Sequence, residues 1–183
     1  MAHSLTDFIK VYEEVIPNEV CEDLILAYNE NHKYVQTHKT DGYIFNQLEI
    51  NTTPTISAVA DPLYRTLIPI YQDYFNELGC SDYVNLDKPS VESLRIKKYK
   101  KNSGEQFKTH VDVVDRETAR RYAVAIVYLN SNDGATVFPT IGKKVEAKKG
   151  RVVIFPPNWM FPHAGLEPTN HDKYIMMTCL HYT

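Results

Sequence analysis

Over roughly the first half of the chain, apolar residues recur every third or fourth position; beyond residue 90 they come in short, dense runs. The segment "PNEVCEDLILAYNEN" offers Asn18 as an N-cap after Pro17, with acids Glu19, Glu22 and Asp23 in the first turns. Val20, Leu24, Ile25 and Tyr28 follow at helical spacing. A second, longer stripe runs through Ile56, Val59, Leu63, Leu67, Ile70, Tyr74 and Leu78, with Gly79 placed as a C-terminal stop and Pro62 and Pro69 as points of splitting or kinking. Between the two, "HKYVQTHKTDGYIFNQLEI" reads as short strands around an Asp41-Gly42 turn.

After residue 90 the period changes. "VESLRIKKYK", "EQFKTHVD", "YAVAIVYLN", "ATVFPT", "KKVEA", "RVVIFP", "FPHAGL" and "KYIMMTCLHY" are eight short β-rich runs, separated by turn residues such as Ser103-Gly104, Asp133-Gly134, Gly142 and Gly150. That density predicts a sandwich or barrel of the jelly-roll kind, with the N-terminal helices packed on one face: an α+β fold. The expected organisation is one domain over 1–183, with a helical part at 1–90 and a jelly-roll part at 91–183. The last run has apolar residues on both faces, so its strand is expected to be central and covered on both sides.

Composition changes little in this picture. The chain has 183 residues, 23% charged and 43% hydrophobic, in the range of ordinary globular proteins. A net charge of −3 argues against nucleic acid as a partner. The cluster Lys97, Lys98, Lys100 and Lys101 reads as a solvated face. Three widely spaced cysteines form no metal or disulfide framework, as expected of reduced thiols in a cytoplasmic protein. No apolar N-terminal segment suggests a signal peptide, and no run approaches the ~18 apolar residues of a membrane span, so no membrane partner is expected. The pattern leaves the oligomeric state open.

The candidate chemistry centres on "KTHVDVVD". On a strand, residues i and i+2 share a face, so His110 and Asp112 could reach one metal together. A third ligand must come from elsewhere. His163, in "NWMFPHAGL", follows an apolar strand and lies in an aromatic frame, although a core histidine bonded to backbone fits the local pattern equally well. His171, His181, His3, His32 and His38 have weaker frames. Two histidines and a carboxylate suit a non-haem Fe(II) site with open positions, and zinc is the rival metal. No HExxH motif supplies a zinc hydrolase's base. A second clue is Lys173, at the start of the apolar last run, where a buried ammonium needs an anion. Either it reaches back to solvent, or its partner is a bound acid such as a dicarboxylate.

Together, "YKKNSGEQFKTHVD", "YLNSNDGATVFP", "KKGRVVIFPPN" and "PHAGLEPTNHDKYIMMTCLHY" resemble in order the blocks of the Fe(II)/2-oxoglutarate-dependent dioxygenases, closest to the prolyl-4-hydroxylase-like branch. The likeness is good over about 90–183 and loose before. It implies a double-stranded β-helix in which His110, Asp112 and His163 ligate Fe(II) and serve catalysis. Lys173 and Tyr99 would take the distal carboxylate of 2-oxoglutarate, and Tyr128 and Thr136 would line the co-substrate pocket. The implied reaction hydroxylates a substrate with O2, releasing succinate and CO2, with ascorbate a candidate addition. The branch implies a peptide or protein substrate, and a small molecule is the other class. The chain departs from the family in reading "DGAT" where "GGET" is frequent, and in carrying Met177 and Cys179 where an aromatic often stands. The competing expectations are a jelly-roll or cupin-like metal-binding module, and a zinc enzyme without oxygenase activity. Arg120, Arg121, Trp159 and Phe161 are candidates for the mouth, with "DVVDRETARRYA" a polar loop beside it.

Overall fold

The computed structural model describes residues 3–183. Two helices, α1 (Asn18–Glu30) and α2 (Ala60–Glu77), precede most of the strands. The strands are β1 (Lys10–Tyr12), β2 (Gln36–Lys39), β3 (Ile44–Glu49), β4 (Ser90–Val91), β5 (Arg95–Tyr99), β6 (Phe107–His110), β7 (Arg121–Tyr128), β8 (Asn132–Phe138), β9 (Lys143–Ala147), β10 (Val152–Phe155), β11 (His163–Gly165) and β12 (Lys173–His181). The eight runs expected after residue 90 all contain strands, with β4 just ahead of β5 in the first.

The strands form two antiparallel sheets. The larger has the order β1-β10-β7-β12-β5-β3-β2, with β4 also paired to β12; the smaller has the order β6-β11-β8-β9. The N-terminal part is therefore more than helical, because β1, β2 and β3 extend the larger sheet at both edges. Side-chain parity on the central strand β12 then organises the core. Tyr174, Met176 and Leu180 point to the helices, where they join Leu24, Leu63, Leu67 and Tyr71 in one apolar cluster. Ile175, Met177 and Cys179 point the other way, into a second cluster with Phe138, Phe155 and Phe161 between the sheets. Burying both faces of β12 accounts for its continuous apolar sequence.

The helix ends differ in detail from the sequence expectation. Pro17 occupies the N-cap of α1 and Asn18 is already helical, so its side chain makes no cap bond. α2 runs through Pro69 without breaking. Pro69 and Arg65, the residue four positions earlier whose carbonyl loses its helical donor, are both exposed. On the buried side, Ala60, Tyr71 and Phe75 join the expected stripe, while Val59 is exposed. Gly79 closes the helix at φ 65°, a left-handed position that favours glycine. Among the described residues, no helix is long and apolar enough to cross a membrane.

Candidate metal centre

The smaller sheet brings the two histidines together. His110 ends β6, His163 opens β11, and the two are direct cross-strand partners. Their ring centroids lie 4.3 Å apart. Each ring is held by neighbours: Phe107 stacks on His110 at 3.5 Å, and Phe155 meets His163 edge-on at 4.7 Å. Each Nδ1 faces a backbone carbonyl, Lys108 O at 2.8 Å for His110 and Phe161 O at 3.1 Å for His163. A carbonyl can only accept, so Nδ1 carries the proton and Nε2 of the neutral ring keeps its lone pair for a metal.

Asp112 does not lie on the strand, as the i, i+2 reading assumed. β6 stops at His110, and Asp112 sits in the bend beyond it. Its position comes from the loop: its N–H donates to Pro157 O at 3.0 Å, and Arg121 donates to its carbonyl at 3.0 Å. The carboxylate still faces both imidazoles, with Oδ1 3.5 Å from His110 Nε2 and Oδ2 3.6 Å from His163 Nε2. Oδ2 is buried without a hydrogen-bond partner. A buried acceptor left unsatisfied costs about 1–3 kcal/mol, more for a charged group. A cation seated among three ligand atoms that lie within 4.8 Å of one another removes that cost, so the residues present fit a metal ion. Burial pushes the Asp112 carboxyl up, but His110, His163 and Lys97 outweigh it and hold it at about 2. Burial pulls His163 below the ordinary imidazole range, which favours the ligating, neutral form.

The same cavity extends from the triad to Lys173, Tyr99, Tyr128 and Thr136. Lys173 is only 2% exposed, so it does not reach back to solvent. Its ammonium lies 4.4 Å above the Tyr99 ring and donates to Leu166 O at 2.6 Å and Gly134 O at 3.1 Å. No carboxylate pairs with it among the described residues, and burial pulls it down to about 7, with Asp133 opposing. Lys173 and Tyr99 are cross-strand partners on β12 and β5. The Tyr128 hydroxyl donates to Thr136 Oγ at 2.7 Å. Hence all seven residues singled out from the sequence share one cavity. His3, His32, His38, His171 and His181 stay out of the triad.

Two features were not anticipated. Lys97 is buried and lines the cavity, contrary to the solvated face expected of its run. Its β5 parity with Tyr99 decides this, and Lys98 on the other face pairs with Asp172 instead. Burial pulls Lys97 to about 8, so it remains mostly charged at neutral pH. Arg121, a candidate for the mouth, is tied down instead: Glu92 accepts from Arg121 at 2.6 Å and from Arg95 at 2.7 Å. Of the other candidates for the mouth, Arg120 is exposed, Trp159 stands 76% exposed, and Phe161 is buried.

Residues 94–181 match the sequence model of the 2OG-Fe(II) oxygenase superfamily. No curated protein matches the chain in sequence. Solved structures with the same fold include a viral collagen prolyl hydroxylase from Paramecium Bursaria Chlorella virus-1 bound to 2OG, 20% identical, covering 96% of this chain and 97% of that one at a TM-score of 0.70. A Pseudomonas putida prolyl-4-hydroxylase is 14% identical, covering 96% and 93% at 0.69. A Trichoplax adhaerens prolyl hydroxylase in complex with a hypoxia inducible factor peptide fragment is 13% identical, covering 96% and 84% at 0.70.

Proposed function

We propose that this chain, which belongs to the 2OG-Fe(II) oxygenase superfamily through residues 94–181, hydroxylates a prolyl or similar residue of a peptide substrate. The observation that carries the metal chemistry is the buried, unpartnered Asp112 Oδ2 facing two imidazole nitrogens whose other ring nitrogens are tied to backbone. When bound, Fe(II) with 2-oxoglutarate supplies the oxidising power to place one oxygen atom of O2 on a C–H bond, with succinate and CO2 as co-products.

The chain's own residues then have distinct tasks. His110, Asp112 and His163 would hold the metal and leave the remaining positions to co-substrate and O2. Lys173 would receive the distal carboxylate of 2-oxoglutarate, exchanging two neutral carbonyls for an anion. Tyr99, under the same ammonium, would share that carboxylate, while Tyr128 and Thr136 would wall its pocket. The phenylalanines packed around the two histidines would keep water from a metal held there.

A peptide substrate is supported by the surroundings of Asp112. The loop after β6 is fastened to the loop before β11 by two bonds, Asp112 N–H and Val113 N–H to Pro157 O. These joined loops expose Val114 at 71% and Trp159 at 76%, an apolar margin suited to an extended chain. Of the proteins with the same fold, one is named a collagen prolyl hydroxylase and another is a prolyl hydroxylase in complex with a hypoxia inducible factor peptide fragment. The test is incubation with a proline-containing peptide library, Fe(II), 2-oxoglutarate and ascorbate under air. Mass spectrometry is expected to find peptides heavier by one oxygen atom. Succinate formation with no modified peptide would remove the peptide from this reading while leaving the oxygenase.

A further inference from the structure

The cavity holds a second buried lysine, which none of the tasks proposed above for metal or co-substrate binding takes up. Lys97 is 7% exposed, with its ammonium 4.3 Å from the Phe45 ring centroid and 5.4 Å from that of Phe107. Among the described residues it makes no hydrogen bond and no ion pair. It lines the same cavity as His110 and Asp112. Its register partner on β12 is Ile175, two residues from Lys173, so it stands off from the co-substrate end toward Met177 and Arg95.

A charge count shows why this matters. Fe(II) with Asp112 leaves one positive charge; 2-oxoglutarate brings two negative charges and Lys173 one positive. That assembly is neutral without Lys97. The next group along β5, Arg95, shares Glu92 with Arg121 and stands across from Glu49 on β3, so two arginines meet two carboxylates there and that cluster is balanced. The excess is therefore the charge of Lys97 itself, on the side of the cavity away from Lys173. An unpaired buried ammonium is costly, and aromatic faces offset only part of that cost.

We infer that Lys97 receives an anionic group of the primary substrate, a carboxylate close to the carbon that is oxidised. This rests on the oxygenase reading and narrows the peptide substrate to one whose oxidised residue carries a carboxylate, at the C-terminus or on an acidic side chain. A lysine at this depth discriminates sharply, because an uncharged analogue would leave both the ammonium and its own polar group unpaired.

The chain loaded with Zn(II) and 2-oxoglutarate, which does not turn over, is titrated with a panel of N-acetyl amino acids and their uncharged amides, followed by ligand NMR. At least one carboxylate is expected to bind about tenfold more tightly than its amide, and Lys97→Met is expected to reduce that preference to under about threefold. The same variant is expected to raise the thermal midpoint of the apoprotein, since methionine fits the apolar stem without a charge. Equal binding of acids and amides, no binding by any member of the panel, or a preference that survives Lys97→Met would overturn the assignment. So would a lowered midpoint, which would make Lys97 structural, or a loss of more than about tenfold in 2-oxoglutarate affinity, which would assign it to the co-substrate. An anaerobic Fe(II) complex that gives no visible band on adding 2-oxoglutarate contradicts the oxygenase reading. A band without acid preference contradicts only the role of Lys97.

Discussion

Lys173 and Asp112 are opposite cases of one physical situation, a charge buried without its counter-ion. Asp112 keeps an unbonded oxygen between two imidazoles, and Lys173 leans on two carbonyls above an aromatic ring. Burial pulls Lys173 from 10.5 to about 7. The sign of the linkage follows: between these values the unfolded chain binds more protons than the folded one, so stability rises with pH across that window. The apoprotein is expected to gain stability between pH 7 and pH 9 in urea titrations. In Lys173→Met that gain should be smaller by about 2 kcal/mol. An unchanged slope would mean that Lys173 is more solvated than its surroundings imply. Both charges were legible in the sequence, because a histidine pair and a lysine in apolar runs demand partners. Lys97 was not, because a run of four lysines within five positions reads as solvent-facing. The parity that puts Tyr99 in the cavity puts Lys97 there too, and that was the available signal.

At the level of elements, the strands were legible after residue 90 because alternation and turn residues are local properties. The alternating faces of β12 could be read directly, and they match the two apolar clusters on either side of the sheet. What local pattern could not give is cross-strand register, such as the pairing of His163 with His110, or the fastening of Asp112 by Pro157 O beyond the end of β6. Both depend on segments about 50 residues apart meeting in space. Gly134, the third residue of β8, shows how closely the site is packed. A Cβ at Gly134 would stand 2.9 Å from Leu166 O and 3.0 Å from Lys173 Cδ, so glycine makes room for the lysine stem. Gly134→Ala is therefore expected to cost about 1–3 kcal/mol in stability and to weaken 2-oxoglutarate binding by about tenfold, measured by denaturation and by calorimetry. Normal binding in that variant would show that the carbonyl and the stem can move apart freely.

Across the whole molecule, the larger sheet separates two functions of the core. Its helix face is a large apolar cluster that supplies stability, and its other face forms the cavity with the smaller sheet. The helical placement was anticipated from the amphipathic stripes, whereas β1, β2 and β3 joining the sheet edges required knowledge of long-range pairing. Because the buried charges sit between the sheets, ligands that neutralise them should stabilise the entire fold. Mn(II) with saturating 2-oxoglutarate, at about 100 times the dissociation constant, is expected to add about 2.7 kcal/mol. Asp112→Ala should abolish the metal-dependent part, as read by thermal shift. A shift of the same size in that variant would place the metal elsewhere.

The most direct measurement of the central claim is an anaerobic titration of the chain with Fe(II) and then 2-oxoglutarate, followed by visible absorption. A weak charge-transfer band is expected in the wild type. It should be absent in His110→Ala and should require about tenfold more 2-oxoglutarate in Lys173→Met. No band in the wild type, or an undiminished band in His110→Ala, would contradict the assignment of this cavity as an Fe(II)/2-oxoglutarate site.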